Sequence, residues 1–266
     1  MDNPEIVYKY RHWSDPFHRK VLLENELFLA SPICFNDPFD CRITTNYLLL
    51  DTPEKREEYI QIGMKKHATF LSERGLDLDS VKSDLQRRID DLESFQREHD
   101  EIEVTEMNKC YGVVSLSARW DSILMWSHYA DHHRGFCIGF NEEKIQNSGL
   151  FGKGGMVNYS NSYPSIDPRE EYSMEQSFVH THTKAEDWKY EQEYRLMNMF
   201  YPIPATNDAD RIVKVPDEFI EEVIIGLHIP SNHRSEILSE CKRRSIPVFQ
   251  TIKVPRRFNL DRVTVD

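Results

Sequence analysis

Apolar and polar positions change period several times along this chain, and the changes mark its parts. "EIVYKYR" near the start is dense in β-branched and aromatic residues and predicts a strand. "DPFHRKVLLENEL" predicts a helix, with Asp15 as N-cap and Pro16 at its first position. "LFLASPICF" predicts a short strand broken at Pro32, and "FNDPFD" (35–40) is turn chemistry. Residues 52–107 are highly charged with apolar residues at helical spacing, which predicts two or three amphipathic helices inserted into a β-richer body. Their simplest role is a helical cap on the core; a lid or a contact between two copies of the chain are the functional alternatives.

Strand character then returns. "CYGVVSLS" (110–117), "RGFCIGF" (134–140), "GGMVNYS", "EYRLMNMF", "FIEEVIIGLHI" and "IPVFQTIKV" predict strands. "WDSILMWSHYADHH" (120–133) predicts a helix starting near Asp121 or Ser122, and "PSNHRSEILSECKRRS" another, opened by Pro230 and Ser231. The sum is an α+β protein of one domain over residues 1–266. It has a central mixed or antiparallel β core, the helical insertion and a C-terminal β-α-β unit.

Composition narrows the functions. No run of 18 or more apolar residues exists, and the first residues lack the apolar stretch of a signal peptide, so the expected location is the cytoplasm, away from any membrane. Five scattered cysteines without a CxxC pair predict free thiols, mostly buried. The net charge of -12 argues against broad nucleic-acid binding. Lys242, Arg243, Arg244, Arg256 and Arg257 make the C-terminal portion locally basic, most simply as a solvated helix end.

Several familiar chemistries are absent or incomplete. There is no G-x-S-x-G, no P-loop and no GxGxxG, and "GKGG" (152–155) is too short to serve as a phosphate loop. His128 and His132, four apart on the predicted helix, resemble the spacing of a zinc motif, but Tyr129 stands where that motif has Glu. Asp131, His133, Cys137, His180 and His182 are available as further ligands, yet none is marked out as a third, and no metal is expected.

A three-part arrangement remains. Arg11 ends the first strand, Ser115 and Ser117 lie two apart in "SLS", and Glu191 and Glu193 lie two apart in "WKYEQEYR". On a strand, residues two apart share a face, so SLS offers two hydroxyls and EQE two carboxylates. Cleaving the nicotinamide–ribose bond of NAD passes through an oxocarbenium-like state. A carboxylate near the ribose holds the 2′-OH and favours that charge, a guanidinium suits the pyrophosphate, and a second carboxylate takes a proton or positions the nucleophile.

The order Arg, Ser-x-Ser, Glu-x-Glu resembles the R-S-E pattern of ADP-ribosyltransferases of the bacterial-toxin type. The resemblance implies an ADP-ribosyltransferase-like core and NAD as substrate. It also implies Glu193 as catalytic Glu with Glu191 and Arg11 assisting, and Ser115 and Ser117 at the cofactor. Leu116 stands where that pattern has Thr. A competing H-Y-E pattern would use His12 or Tyr10 first and Tyr129 second. Over most of residues 7–255 the chain also resembles a bacterial family of unknown-function domains, through "YKYR", "FNDPFD", "SLS", "MWSHYADHHRGFCIGF" and "WKYEQEYR". That resemblance implies a toxin or anti-phage defence setting.

Tyr10, Asn36, Asp37, Trp126 and His128 complete the candidate cofactor contacts. Each has a plainer reading: Trp126, Phe35 and Phe39 as core, and Asn36, Asp37 and Asp40 as turn formers. The expected function is therefore NAD-using ADP-ribosyl transfer or NAD hydrolysis, the acceptor being an unidentified protein or nucleic acid. The alternatives are a non-catalytic nucleotide- or partner-binding defence module, supported by the long charged insertion, and a metal-dependent nuclease built on His128 and His132. The first reading expects a Glu193→Gln variant to fold normally and lose activity.

Overall fold

The computed structural model describes residues 3–171 and 173–265, with the side chains of Lys153 and Met174 left aside. The chain forms two compact units, one of residues 1–36, 109–161 and 184–266, the other of residues 37–108 and 162–183. In chain order the elements are β1 (Ile6–Arg11), α1 (Lys20–Leu23), β2 (Glu26–Phe28), α2 (Pro53–Glu73), α3 (Leu78–Ile89), α4 (Leu92–Cys110), β3 (Tyr111–Ser117), α5 (Ile123–Tyr129) and β4 (Phe136–Asn141). They continue with α6 (Glu142–Gln146), β5 (Lys153–Met156), β6 (Asn158–Ser160), α7 (Met174–His182), β7 (Thr183–Ala185), β8 (Glu193–Met199), β9 (Ile212–Lys214), β10 (Ile220–Ile225), α8 (Ser231–Arg244), β11 (Val248–Lys253) and β12 (Leu260–Thr264). The protein is thus α+β around a large mixed sheet.

Among the described residues, that sheet has eight strands in the order β12-β11-β10-β4-β1-β3-β8-β5. All its pairings are antiparallel except β10 with β11, which are parallel and joined through α8. Ile237 and Cys241 of α8 are fully buried. The basic run at the end of α8 suits the helix C-terminus and is held locally: Arg243 pairs with Glu240, and Arg244 with Asp217 and Asn25.

Alternation along β3 and β8 assigns their two faces. Val114 and Leu116 of β3, with Tyr194 and Leu196 of β8, enter the main apolar core alongside Val7, Phe136, Ile138 and Phe140. The intervening residues pair across the strands, Ser115 with Arg195 and Ser117 with Glu193. They therefore occupy the opposite face. On that face Tyr8 of β1, paired with Ser117, and Tyr10 pack with Met125 and Trp126 of α5.

The helix predicted over 120–133 is shorter than its pattern suggests. Ser122 caps it, its Oγ accepting from Met125 N at 3.3 Å, and it stops at Tyr129. Asp131, His132 and His133 then take φ of 49°, 52° and 67°, three left-handed residues in succession. The turn is fixed by Gly135 N donating to Ala130 O (2.8 Å) and His133 N to Trp126 O (3.1 Å). A helix was likewise expected from Asp15; instead Asp15 Oδ1 accepts from Phe17 N (2.7 Å) and His18 N (3.2 Å) in a turn, and α1 begins only at Lys20. Side-chain acceptance by Asp competes locally with helix: Asp15 caps a turn, and the helix that follows has Arg19 as its N-cap, with no side-chain bond.

The second unit carries α2, α3 and α4, the helices expected over 52–107, capped at Thr52 and Asp77. Tyr47, Leu50, Ile60, Ile89 and Phe95 form its small core. Cys41, Cys110, Cys137 and Cys241 are buried and Cys34 is exposed. No helix among the described residues is long and apolar enough to cross a membrane.

Gly135 is required where β4 leaves the left-handed turn, because a Cβ there would lie 2.2 Å from Arg11 O. Gly135→Ala is expected to cost about 3 kcal/mol or more, read as a lowered urea midpoint. Gly149→Ala, whose Cβ would meet nothing within 4 Å although its φ is +73°, should cost less.

Candidate functional site

Glu191 and Glu193 do converge, but not by strand alternation. Residues Glu186–Glu191 form a 3-10 turn, Gln192 reverses the chain in the left-handed region at φ 42°, and the strand starts only at Glu193. The reversal aims both carboxylates at Lys184. Its Nζ donates to Glu191 Oε2 at 2.6 Å and to Glu193 Oε2 at 3.0 Å. All three side chains are about 5% exposed or less. Arg195, fully buried, grips Glu193 with both arms of its guanidinium, Nε to Oε1 and NH2 to Oε2, each at 2.8 Å. Two like charges sit side by side because two buried cations stand between and beneath them.

The surroundings finish the arrangement. Tyr129, the last residue of α5, donates its hydroxyl to Glu191 Oε1 at 2.6 Å and accepts from Asn36 Nδ2 at 3.4 Å. Ser117 Oγ donates to the backbone carbonyl of Glu191 at 2.6 Å, bracing the 3-10 turn. Glu193 N donates to Tyr159 Oη at 2.8 Å. Lys9 Nζ donates to the Ser115 carbonyl. Lys184 lies 4.9 Å from the centre of the Trp188 ring, and Arg195 5.8 Å from that of Phe35. Trp188 packs 6.1 Å from Tyr190, and Tyr190 6.2 Å from the exposed His128.

The two carboxyls titrate in opposite directions. Glu191 is pushed above the usual carboxylate range, chiefly by burial and also by the charge of Glu193, with Lys184 and Tyr129 opposing. Glu193 is buried too, but Arg195 and Lys184 outweigh desolvation and hold it well below that range. Burial, with the charge of Arg11, pushes the Lys9 ammonium well down, against the pull of Glu193 and Glu191. The arrangement therefore offers one firmly ionised carboxylate, one that holds a proton more readily, and a tyrosine leading from it toward the exposed Asn36.

The predicted site residues separate into groups. Glu191, Glu193, Ser117 and Asn36 are brought together, and Ser115 sits beside them, its hydroxyl favouring the ionised Glu193. His128 reaches the aromatic rim. Arg11 is elsewhere: its NH1 donates to Tyr10 O at 3.4 Å, and its charge acts on Asp15, His18 and Lys9. The β1 cation that feels the two carboxylates is Lys9. Tyr10 and Trp126 are core, their rings edge to face at 5.2 Å, with hydroxyl and indole N–H satisfied by Arg119 O and Trp120 O. Asp37, in the second unit, is nearly fully buried and its Oδ1 accepts from Phe39 N at 2.9 Å, an Asx turn.

The metal readings lose their geometry. His128 and His132 do not share a helix face, since the helix ends between them. His180 Nδ1 bonds Ile43 O at 2.6 Å, His182 Nδ1 bonds Thr181 Oγ1 at 2.9 Å, and Cys137 is core. Lys184, Arg195, Tyr159 and Lys9 are site members that the sequence pattern did not single out, whereas Tyr129 figured only in the competing H-Y-E pattern. Charge balance around EQE is the signal that could have found Lys184 and Arg195; Tyr159 and Lys9 carry no local signal.

Residues 125–196 match a protein family described as "Protein of unknown function (DUF2971)". The match covers a little over a quarter of the chain and contains Tyr129, Lys184, Glu191, Glu193 and Arg195. No curated protein matches the chain, and no solved structure does.

Burial alters the behaviour expected of a Glu193→Gln variant. Removing that charge leaves Arg195 and Lys184 short of a partner, so the variant is expected to be less stable by about 3–5 kcal/mol near neutral pH. Because the pKa of Glu193 is depressed on folding, its contribution is full above the unfolded value of about 4.3 and is lost progressively as pH falls from there toward the depressed folded value. The gap between wild type and variant should thus narrow by about 1–2 kcal/mol between pH 7 and pH 3 in urea unfolding.

Proposed function

We propose that the protein is an enzyme that cleaves the nicotinamide–ribose bond of NAD, transferring ADP-ribose to an acceptor or to water, on an ADP-ribosyltransferase-like core. The observation that carries this reading is the separation of Glu191 and Glu193 in titration while their carboxylates meet at one lysine. Paired carboxyls pushed apart in this way are the mark of divided acid–base labour. A structural pair would need only to be neutralised.

In the reaction, the C1′–N1 bond breaks and nicotinamide leaves with the bonding electrons, which discharges its pyridinium and needs no proton. Glu193, ionised, holds the ribose 2′-OH and stabilises the developing oxocarbenium charge. Glu191 takes the proton from the attacking water or acceptor hydroxyl as the new C1′–O bond forms, and its raised pKa makes it a stronger base than an ordinary carboxylate. Tyr129 steadies that carboxylate. Trp188, Tyr190 and His128 supply the rings on which a nicotinamide or adenine would stack. In this reading Lys9, rather than Arg11, is the first-strand cation. A bacterial toxin or anti-phage role fits such chemistry, because loss of NAD stops growth.

A second reading, a module that binds a nucleotide or partner without turnover, is favoured by one specific observation: Glu193 is only 3% exposed. The two readings separate on incubation with radiolabelled NAD, with and without protein, RNA and DNA acceptors. The enzyme reading expects nicotinamide release, reduced at least a hundredfold in Glu191→Gln. Tyr129→Phe, which keeps the ion network, should retain activity. Its acid limb should move to higher pH, because the Tyr129 hydroxyl lowers the pKa of Glu191. Binding of NAD without nicotinamide release, by protein whose melting is cooperative, would overturn the enzyme in favour of the module.

A further inference from the structure

The stretch His12-x-x-Asp15-x-x-His18 leads from β1 toward α1, and nothing in the proposed NAD chemistry uses it. One ligand atom from each of the three residues lies within 4.8 Å of the other two. The two imidazoles meet edge to face with centroids 4.2 Å apart. All three residues are partly buried. Asp15 spends Oδ1 on the backbone amides of Phe17 and His18, which fixes the turn and its carboxylate. His18 Nδ1 is shielded from solvent and has no hydrogen-bond partner.

A buried ring nitrogen without a partner costs free energy unless something takes its lone pair. Two imidazoles and one carboxylate, grouped this tightly, form the donor set that borderline transition metals prefer.

We propose that His12, Asp15 and His18 form a binding site for one divalent transition-metal ion of the zinc class. Three protein ligands leave a coordination position for water, and the metal would pin the connection between β1 and α1. Arg11 acts electrostatically on both Asp15 and His18. A cation beside the site opposes a second cation, so the expected dissociation constant is about micromolar, weaker than a closed structural zinc site. The site stands independently of the NAD reading, since its test reads metal binding alone.

The test uses the full chain, stripped with EDTA and returned to metal-free buffer. Zn2+ is titrated by calorimetry and Co2+ by its visible d–d absorption. One ion per chain is expected, with a rise in Tm on Zn2+ addition. Asp15→Asn keeps an acceptor for the two backbone amides, so it should fold and lose at least tenfold in affinity; His12→Gln should do the same. Cys34→Ser and His132→Gln, which alter exposed donors outside the cluster, should bind like wild type. The proposal is overturned if the wild type takes up neither ion. It is equally overturned if cooperatively melting Asp15→Asn and His12→Gln bind as tightly as wild type, because the ion then sits elsewhere.

Discussion

One buried lysine organises the polar cluster of the first unit. Lys184 lies between Glu191 and Glu193, and Arg195 closes on Glu193 from the same strand. Each of these groups would be prohibitively costly to bury alone; together they neutralise one another and use their hydrogen-bonding capacity. The local backbone is arranged around that need. The 3-10 turn, the left-handed Gln192, the Ser117 brace on the Glu191 carbonyl and the Tyr159 contact to Glu193 N all hold the carboxylates in place. The face of β3 and β8 that carries them is excluded from the main apolar core by strand alternation, which gives the polar groups a side of their own.

The network is asymmetric, and the asymmetry has chemical content. Arg195 and Lys184 both serve Glu193, whereas Glu191 has Lys184 and the weaker help of a tyrosine hydroxyl. Burial therefore wins at Glu191 and loses at Glu193. Tyr129 also links the buried pair to Asn36, which is exposed, and Trp188, Tyr190 and the exposed His128 pack in succession nearby. On β1, Lys9 feels the carboxylates, while Arg11, two residues on, acts on Asp15 and His18. A single short strand thus divides its two cations between two polar clusters.

Much of the fold was legible in the pattern of residues. The strands at "CYGVVSLS", "RGFCIGF", "FIEEVIIGLHI" and "IPVFQTIKV", the last helix and the amphipathic helices of 52–107 lie where their periodicity puts them. These elements bury one face, and burying a face requires a period that the sequence must display. The failures have the opposite cause. The helix after Ser122 ends at Tyr129 in a turn of three left-handed residues, Asp131, His132 and His133, which leads to Gly135, where a Cβ would meet Arg11 O; the apolar period does not register it. The short helix after Asp15 was cut by side-chain hydrogen bonding that mimics a cap.

For the site, the sequence by itself determined which charges exist and where they cluster: two glutamates two apart, Lys184 and Arg195 within a few positions, and hydroxyls at Ser115 and Ser117. It also determined the alternation that sets Ser115, Ser117, Glu193 and Arg195 on one face. Only the tertiary structure decided which cation meets which carboxylate. It brought Tyr129, Lys9 and Tyr159 to the pair from other elements and sent Trp126 and Tyr10 into the core. It also left Arg11 with Asp15 and His18. The physical reason is range: periodicity encodes burial along a few residues of chain, whereas ion pairing and pKa depend on through-space distances of a few ångströms that only the packed sheet fixes.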